Sequence, residues 1–410
     1  MRIVHAADLH IDSPLQGLSR LDDEDVARQV RQASRRATER LVRLVIDEEA
    51  DALVLAGDVY DGDWPDYATG RFFAEQMDVL HDHGVPVFSA AGNHDAESQI
   101  TRALTLPSNV RVLSTREPET VVLDDLGLAV HGQGYPQRAV TENLVAAYPR
   151  RVPGLVNVGI LHTAVAGSEG HAPYAPCTVQ DLERADYDYF ALGHVHRHAV
   201  VTSGHRVAAY SGNLQGRHPR ETGPKGAVVV DVEPDGRAEL RHVALDIARW
   251  AACEVDATGA ADLDDVLARV QTALRDAAAA AEGRLLVARV TLRGATRAAA
   301  QLADRERLAE EVARLAGRCG VTVERVRSKA EAPGEAGSVE PQLRRGIEAA
   351  GQAMVADLDR LRALVRPLDA ELGRILRQDG GLDLRDDEAL GVLAAEAVTD
   401  LLAQLTGEGR

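Results

Sequence analysis

The stretch Leu53-Val54-Leu55-Ala56-Gly57-Asp58-Val59-Tyr60-Asp61 constrains this chain more than any other. An apolar run that ends in a glycine and then an acid has the form of a buried parallel strand delivering a carboxylate to the carboxyl edge of a sheet. Gly-Asp is also common turn chemistry. That blander reading weakens because the construction recurs. Arg2 to Ala7 ends in Asp8-Leu9-His10, and Val85 to Ala90 opens into Gly92-Asn93-His94-Asp95. Asn157 to Leu161 ends at His162-Thr163, and Tyr187 to Leu192 ends at Gly193-His194-Val195-His196. A D-x-H at a strand end puts a carboxylate and an imidazole on one side of the chain, because alternate side chains share a face.

Between these runs, Asp23 to Glu49 reads as one long helix, with Val26, Val30, Ala33, Ala37, Leu41, Leu44 and Val45 at helical spacing. Tyr67 to His83 reads as a second helix, stopped by Gly84 and Pro86. Strand and helix alternate, which implies a layered α/β core with right-handed crossovers. Shorter strands are expected at Val110 to Leu113, Thr120 to Leu123 and Leu128 to Gly132. A β-rich run follows over His198 to Ser203, Arg206 to Tyr210 and Gly226 to Val232, with turns at Ser203-Gly204 and Pro234-Asp235-Gly236. The pattern suggests two packed sheets with the histidine-bearing loops at one rim.

The character changes near Leu245. Strands at Trp250 to Val255, Leu285 to Leu292 and Val321 to Val326, with helices over Ala260 to Ala281 and Ala298 to Gly317, predict a small α+β unit without a ligand constellation. The expected organisation is a catalytic domain over 1–245, this capping unit over 246–330, a Glu-, Gly- and Pro-rich linker over 331–341, and a helical segment over 342–410. In that last segment Leu343, Ile347, Met354, Leu358, Leu361, Val365, Leu368 and Leu372 form an apolar stripe, which Pro367 should kink or divide. Leu390 to Leu405 predicts a final amphipathic helix. Such stripes pack against their own domain or dock a partner helix.

A chain of 410 residues is too long for one ordinary domain. Aromatic residues make up only 3%, so the core must be aliphatic. The net charge of −18 argues against a generally basic, DNA-coating surface. It does not exclude a nuclease, because bound divalent cations supply positive charge where a phosphate must sit. Cys177, Cys253 and Cys319 are far apart without metal or redox spacing and read as buried thiols of a reducing cytosol. Met1-Arg2-Ile3-Val4 runs straight into a strand without a signal peptide, and no apolar run is long enough to span a bilayer, so a cytoplasmic protein without a membrane partner is expected.

The strand ends collect Asp8, His10, Asp58, Asn93, His94, His162, His194 and His196. Oxygen and imidazole donors without thiolate suit hard-to-borderline divalent ions. Two ions close together need a bridging carboxylate; they can hold a hydroxide between them as nucleophile and clamp a phosphate. Bound water loses its proton near neutral pH, so no separate base is needed.

The series Asp8-x-His10, Gly57-Asp58-x-x-Asp61, Gly92-Asn93-His94-Asp95, His162 and Gly193-His194-x-His196 resembles the calcineurin-like metallophosphoesterases. His5 to Pro14 and Tyr210 to His218 resemble the bacterial DNA-repair exonuclease branch called YhaO, related to the SbcD nuclease subunits. The resemblance implies a four-layer α/β/β/α sandwich with a small capping domain and C-terminal helices. It implies two divalent ions, typically manganese. Asp8, His10 and His196 would hold one, Asn93, His162 and His194 the other, and Asp58 would bridge. His94 would assist the leaving oxygen, and Asp61 would hold its tautomer. Tyr60 is not assigned as a ligand. The implied activity is hydrolysis of DNA phosphodiesters. The implied partner is an SMC-like coiled-coil ATPase docked on the C-terminal helices, with a homodimer as a further assembly. Arg217, His218, Arg220 and Lys225, against the single acid Glu221, form a candidate DNA-phosphate patch or a solvated hairpin. His131, His171 and His205 fall outside the pattern and read as structural. A phosphodiesterase for cyclic nucleotides or lipid head groups, and a non-catalytic scaffold for the ATPase, are the competing readings.

Overall fold

The computed structural model describes residues 1–13, 24–61, 67–97, 105–165, 174–333, 346, 349–351, 353, 357–376 and 384–405. They fall into two compact units. The first comprises Met1–Val255, Leu267–Thr291 and Arg305–Arg327; the second comprises Asp256–Val266, Leu292–Asp304 and Ser328–Arg410.

Two six-stranded sheets build most of the first unit. In one, β1 (Arg2–Ala6), β2 (Ala52–Leu55), β3 (Val87–Ser89) and β4 (Val110–Val112) run parallel in that order. Antiparallel β11 (Gly226–Val232) and β12 (Ala238–Ala244) extend it beyond β1. In the other, β6 (Leu128–Gly132), β7 (Val156–His162), β8 (Tyr189–Gly193) and β10 (Val207–Tyr210) are parallel, and β5 (Glu119–Leu123) and β9 (Ala199–Thr202) are antiparallel edges.

Alternate residues of each strand feed different layers, as the two-residue period requires. Ile3, Val54 and Phe88 of the first sheet meet Val130, Ile160 and Ala191 of the second. Val4, Leu53 and Leu55 turn the other way, onto α2 (Ala33–Asp47) and α3 (Ala68–Asp82), through Leu41, Val45 and Met77. On the far face of the second sheet, Leu161, Phe190 and Leu192 pack on Leu182 of α4 (Val179–Ala185). The layers are therefore α/β/β/α. Each buried aliphatic side chain contributes about 1.5–3 kcal/mol, so a core poor in aromatics suffices.

β13 (Ala248–Asp256), β14 (Leu285–Ala295) and β15 (Val321–Glu331) form a three-stranded sheet. It is accompanied by α5 (Leu263–Ala280), a single turn α6 (Ala299–Leu302) and α7 (Arg305–Arg318). In the second unit, the Thr296 hydroxyl donates to the Ala260 carbonyl at 2.8 Å. There, α8 (Leu358–Leu376) and α9 (Asp387–Leu405) are joined by Arg362 and Asp387 at 2.6 Å.

Several expectations need correction. The long first helix is interrupted at Gln32, giving α1 (Glu24–Arg31) and α2. The cause is a change of partner: Val26 and Val30 pack on Ala248, Trp250 and Val287, whereas α2 covers the sheet. β12 adds a strand to those expected; Glu239, Arg241 and His242 interrupt the apolar residues of its sequence AELRHVA. Pro367 lies inside α8 without dividing it. Glu331 belongs to β15 rather than to a linker; residues 334–341 of that linker, and Leu343, Ile347 and Met354 of the apolar stripe, lie outside the described residues. Cys177 and Cys253 are buried, but Cys319 is only half-buried. No helix among the described residues is long and apolar enough to cross a membrane.

Candidate metal centre

The ligand-type residues meet beyond the carboxyl ends of β1, β2, β3, β7 and β8. Parallel backbone hydrogen bonds carry the pairing of β1 and β2 past the strands: Asp8 N–H donates to the Gly57 carbonyl at 2.9 Å, and His10 N–H to that of Asp58 at 3.1 Å. Glycines let the two rims close. A Cβ on Gly57 would stand 2.5 Å from His162 Nδ1, one on Gly92 2.2 Å from Asp58 Oδ1, and one on Gly193 1.9 Å from the Ala56 carbonyl oxygen. Four of the ligand-type residues adopt positive φ, Asp8 at 52°, His10 at 43°, Asp58 at 52° and His194 at 98°. Such non-glycine residues cost about 1–3 kcal/mol each and gather at functional sites.

His10 Nε2 lies 3.3 Å from His196 Nε2. Asp8 Oδ1 lies 4.0 Å from the first of these nitrogens and 3.7 Å from the second. Asp58 Oδ2 stands between the two halves, 3.8 Å from His10 Nε2 and 3.5 Å from His162 Nε2. His162 Nε2 is 3.0 Å from Asn93 Oδ1. The His194 ring lies beside that of His162, with centroids 5.2 Å apart, and its backbone N–H donates to Asp8 Oδ2 at 3.0 Å. His94 joins His10 and Asp58 in a group whose donor atoms fall within 4.8 Å of one another.

The hydrogen bonds assign tautomers. His162 Nδ1 donates to the Ala56 carbonyl at 2.8 Å, and His196 Nδ1 to Glu221 Oε1 at 2.7 Å. His10 Nδ1 faces Asp61 Oδ1 at 3.2 Å. The Nε2 atoms of His162 and His196 are thereby left as lone pairs. A lone pair on His162 Nε2, 3.0 Å from Asn93 Oδ1 and among buried carboxylates, suits a cation between them. The electrostatics agree. Burial pushes the Asp8 carboxyl well above its usual range, and the Asp58 charge adds to that. Burial also raises Asp58, against the lowering influence of His94. Burial holds His10 and His196 down, and His162 down to about 3, so these imidazoles are neutral and available as donors. The residues present therefore fit a pair of divalent ions.

His94 differs in exposure: its side chain is 29% exposed, where His10 and His162 are fully buried. Its Nδ1 lies 3.2 Å from Asp61 Oδ1. Burial works to raise the Asp61 carboxyl, but the His10 contact and the Arg217 charge outweigh it and hold the group well below its usual range.

The four basic residues do not form one exposed patch. Lys225 is 5% exposed and donates inward to the His196 carbonyl. Arg217 turns to Asp61 at 2.9 Å. Only Arg220 is exposed, next to a half-buried His218. Spacing along the chain shows which charges cluster in sequence, not which way they turn.

Three supporting residues carried little or no advance signal. Glu221 had read only as the acid opposing the basic patch. The Asp95 carboxylate accepts the Tyr60 N–H at 2.9 Å and the Gly92 N–H at 3.0 Å, pinning two ligand loops together. The Tyr135 hydroxyl donates to the His162 carbonyl at 2.6 Å. Tyr60 packs its ring on Phe73. His131 is buried between Thr120 and Asn157 in hydrogen-bonded contact with both, and His205 is exposed. His171 lies outside the described residues.

Residues 1–198 match the family model of the calcineurin-like phosphoesterases, and residues 250–331 that of the middle domain of metallophosphoesterase YhaO. The uncharacterized metallophosphoesterase YhaO of Bacillus subtilis is 33% identical over 274 residues, covering 66% of this chain and 67% of the relative. The SbcD component of the nuclease SbcCD from the same organism is 28% identical, over 62% of this chain and 72% of its own. The DNA double-strand break repair protein Mre11 of Methanopyrus kandleri is 26% identical, over 97% of this chain and 87% of its own. A rim that turns bare imidazole nitrogens onto a shared carboxylate, in a chain this similar to these relatives along both of its matched regions, belongs to the calcineurin-like metallophosphoesterase family.

Proposed function

We propose that the protein is a manganese-dependent nuclease that hydrolyses phosphodiester bonds of DNA. The single observation behind this reading is the meeting of the Nε2 atoms of His10 and His162 at Asp58, with His196 beside His10 and Asp8 and the more exposed His94 alongside. Asp8, His10 and His196 would hold one cation, Asn93, His162 and His194 the other, and Asp58 both. When bound, the pair supplies a water of lowered pKa and neutralises phosphate charge. His94, its Nδ1 engaged by Asp61, has Nε2 left to pass a proton to the leaving oxygen. Asp61 keeps that ring in one orientation. DNA as substrate is supported by the relatives named as part of a nuclease and as a double-strand break repair protein. The net charge of −18 favours phosphate approach at the cation-bearing rim over general surface binding.

The proposed organisation is a catalytic domain over 1–245, a DNA-contacting cap over 246–330 and a docking segment over 342–410 for a coiled-coil ATPase. Exposed Leu364 and Leu368 on α8 and Val392 on α9 favour that last role. A homodimer and a cytoplasmic setting complete the reading.

The test is hydrolysis of an end-labelled oligonucleotide with manganese, against a chelator control and a cyclic nucleotide. Wild type should cleave the oligonucleotide, and Asp58→Ala and His94→Ala should not. Equal cleavage by either variant, or turnover confined to the cyclic nucleotide, would overturn the reading.

A further inference from the structure

The loop from Ser211 to Lys225, between β10 and β11, reaches both a ligand-type histidine and the carboxylate behind His94. Its Glu221 accepts His196 Nδ1–H through Oε1 at 2.7 Å. Through Oε2 the same carboxylate accepts the backbone N–H of Arg217 at 2.7 Å and Asn213 Nδ2 at 2.9 Å. Arg217 Nη1 then donates to Asp61 Oδ1 at 2.9 Å and to Ser13 Oγ at 3.0 Å. The Ser13 hydroxyl donates to Asp61 Oδ2 at 2.7 Å. Both oxygens of Asp61 are therefore tied, one by Arg217 and one by Ser13. A carboxylate fixed at both oxygens cannot turn its plane, and Oδ1 stays within 3.2 Å of the Nδ1 atoms of His94 and His10.

We infer that Arg217 is a positioning residue for the leaving-group histidine: it locks the Asp61 carboxylate that orients His94, and through Glu221 it links that orientation to His196. This rests on the nuclease reading above, because it assigns His94 to the leaving oxygen. It replaces the expectation that Arg217 grips substrate phosphate. The guanidinium lies behind Asp61, with the pair only 20% and 18% exposed. An ion pair so sheltered holds its geometry better than a solvated one.

The inference predicts a dependence on the leaving group. An alkoxide leaving from DNA needs a proton, whereas the nitrophenolate of bis(p-nitrophenyl) phosphate needs little help. In Arg217→Ala, kcat on the oligonucleotide should fall about 10–100-fold with KM little changed, as for loss of a group behind a catalytic histidine. The loss on the nitrophenyl diester should be at least about tenfold smaller. Arg217→Lys, which restores the charge without the fork, should recover part of the difference. Equal losses on both diesters, or a rise in KM on both, would overturn the inference in favour of a metal-site or phosphate-binding role. Wild type that hydrolyses neither diester with manganese would instead sink the nuclease reading. A second measurement stands apart from activity: ¹⁵N ring shifts of His94 in the metal-free full-length protein. Wild type should show Nδ1 protonated, and Arg217→Ala a mixture of tautomers. An unchanged Nδ1–H pattern in the variant would refute the inference.

Discussion

Gly92→Ala tests whether the rim is as tightly closed as the structure has it. The added methyl would stand 2.2 Å from Asp58 Oδ1 and 2.7 Å from the Asp58 backbone nitrogen. Cβ atoms essentially never approach within 3.0 Å, so moving from 2.2 to 3.0 Å demands about 0.8 Å of displacement. Gly92 does not have positive φ, so backbone strain adds nothing. The nearest atoms belong to the carboxylate proposed to touch both ions, and a site tolerates about 0.5 Å of misplacement. A shift near 1 Å costs on the order of 10²-fold in rate. Overpacking adds about 1–3 kcal/mol of destabilisation. Gly127→Ala is the control. It has φ of 67° and no neighbour within 4 Å of its Cβ, at the turn before β6 and at the opposite end of the sheet from the rim. It should cost about 1–2 kcal/mol through left-handed strain alone. Chemical denaturation in chelator, manganese titration calorimetry and oligonucleotide turnover should therefore separate the two. Both variants lose stability, but only Gly92→Ala loses metal affinity and roughly two orders of magnitude in kcat. A Gly92→Ala enzyme with wild-type turnover and two bound manganese ions would refute the reasoning.

Two other substitutions probe different joints of the structure. Glu221→Gln keeps the shape of the group that accepts His196 Nδ1–H but removes its charge. Manganese affinity should fall about 10–100-fold by calorimetry with the unfolding midpoint in chelator little changed; an unaltered affinity would show that Glu221 does not orient the ligand. Asp246→Ala leaves the buried Arg249 and the largely buried Arg284 without the carboxylate that both contact, at 2.9 and 3.0 Å. Denaturant unfolding should show a loss of about 3–5 kcal/mol, and a loss under about 1 kcal/mol would mean the arginines find water instead.

The sequence showed where the ligand-type residues leave the strands, because each follows an apolar run short enough to be only a buried strand. Asp8, Asp58, Asn93 and His194 all sit just beyond such runs, and the parallel strands at the centre of the two sheets bring those ends to one rim. The glycines of the motifs were legible for the same reason: 57, 92 and 193 are where chains from different strands nearly touch. What escaped notice depended on partners remote in sequence. Lys225 is exposed or inward according to where the His196 carbonyl lies, and nothing near it in the chain says so. Glu221 becomes a support for His196 only when its loop folds back over 25 residues. The break at Gln32 follows from Trp250 and Val287 claiming the first turns of the helix. β12 carries Glu239 and Arg241 because it is an edge strand, paired only with β11, and edge strands tolerate charge.

A structure of the full chain soaked with manganese, with anomalous scattering recorded at the metal edge, reaches the central claim directly. Two peaks are expected on either side of the Asp58 carboxylate, one within coordination distance of Asp8, His10 and His196, the other of Asn93, His162 and His194. A single peak, or peaks that leave Asp58 untouched, would contradict it.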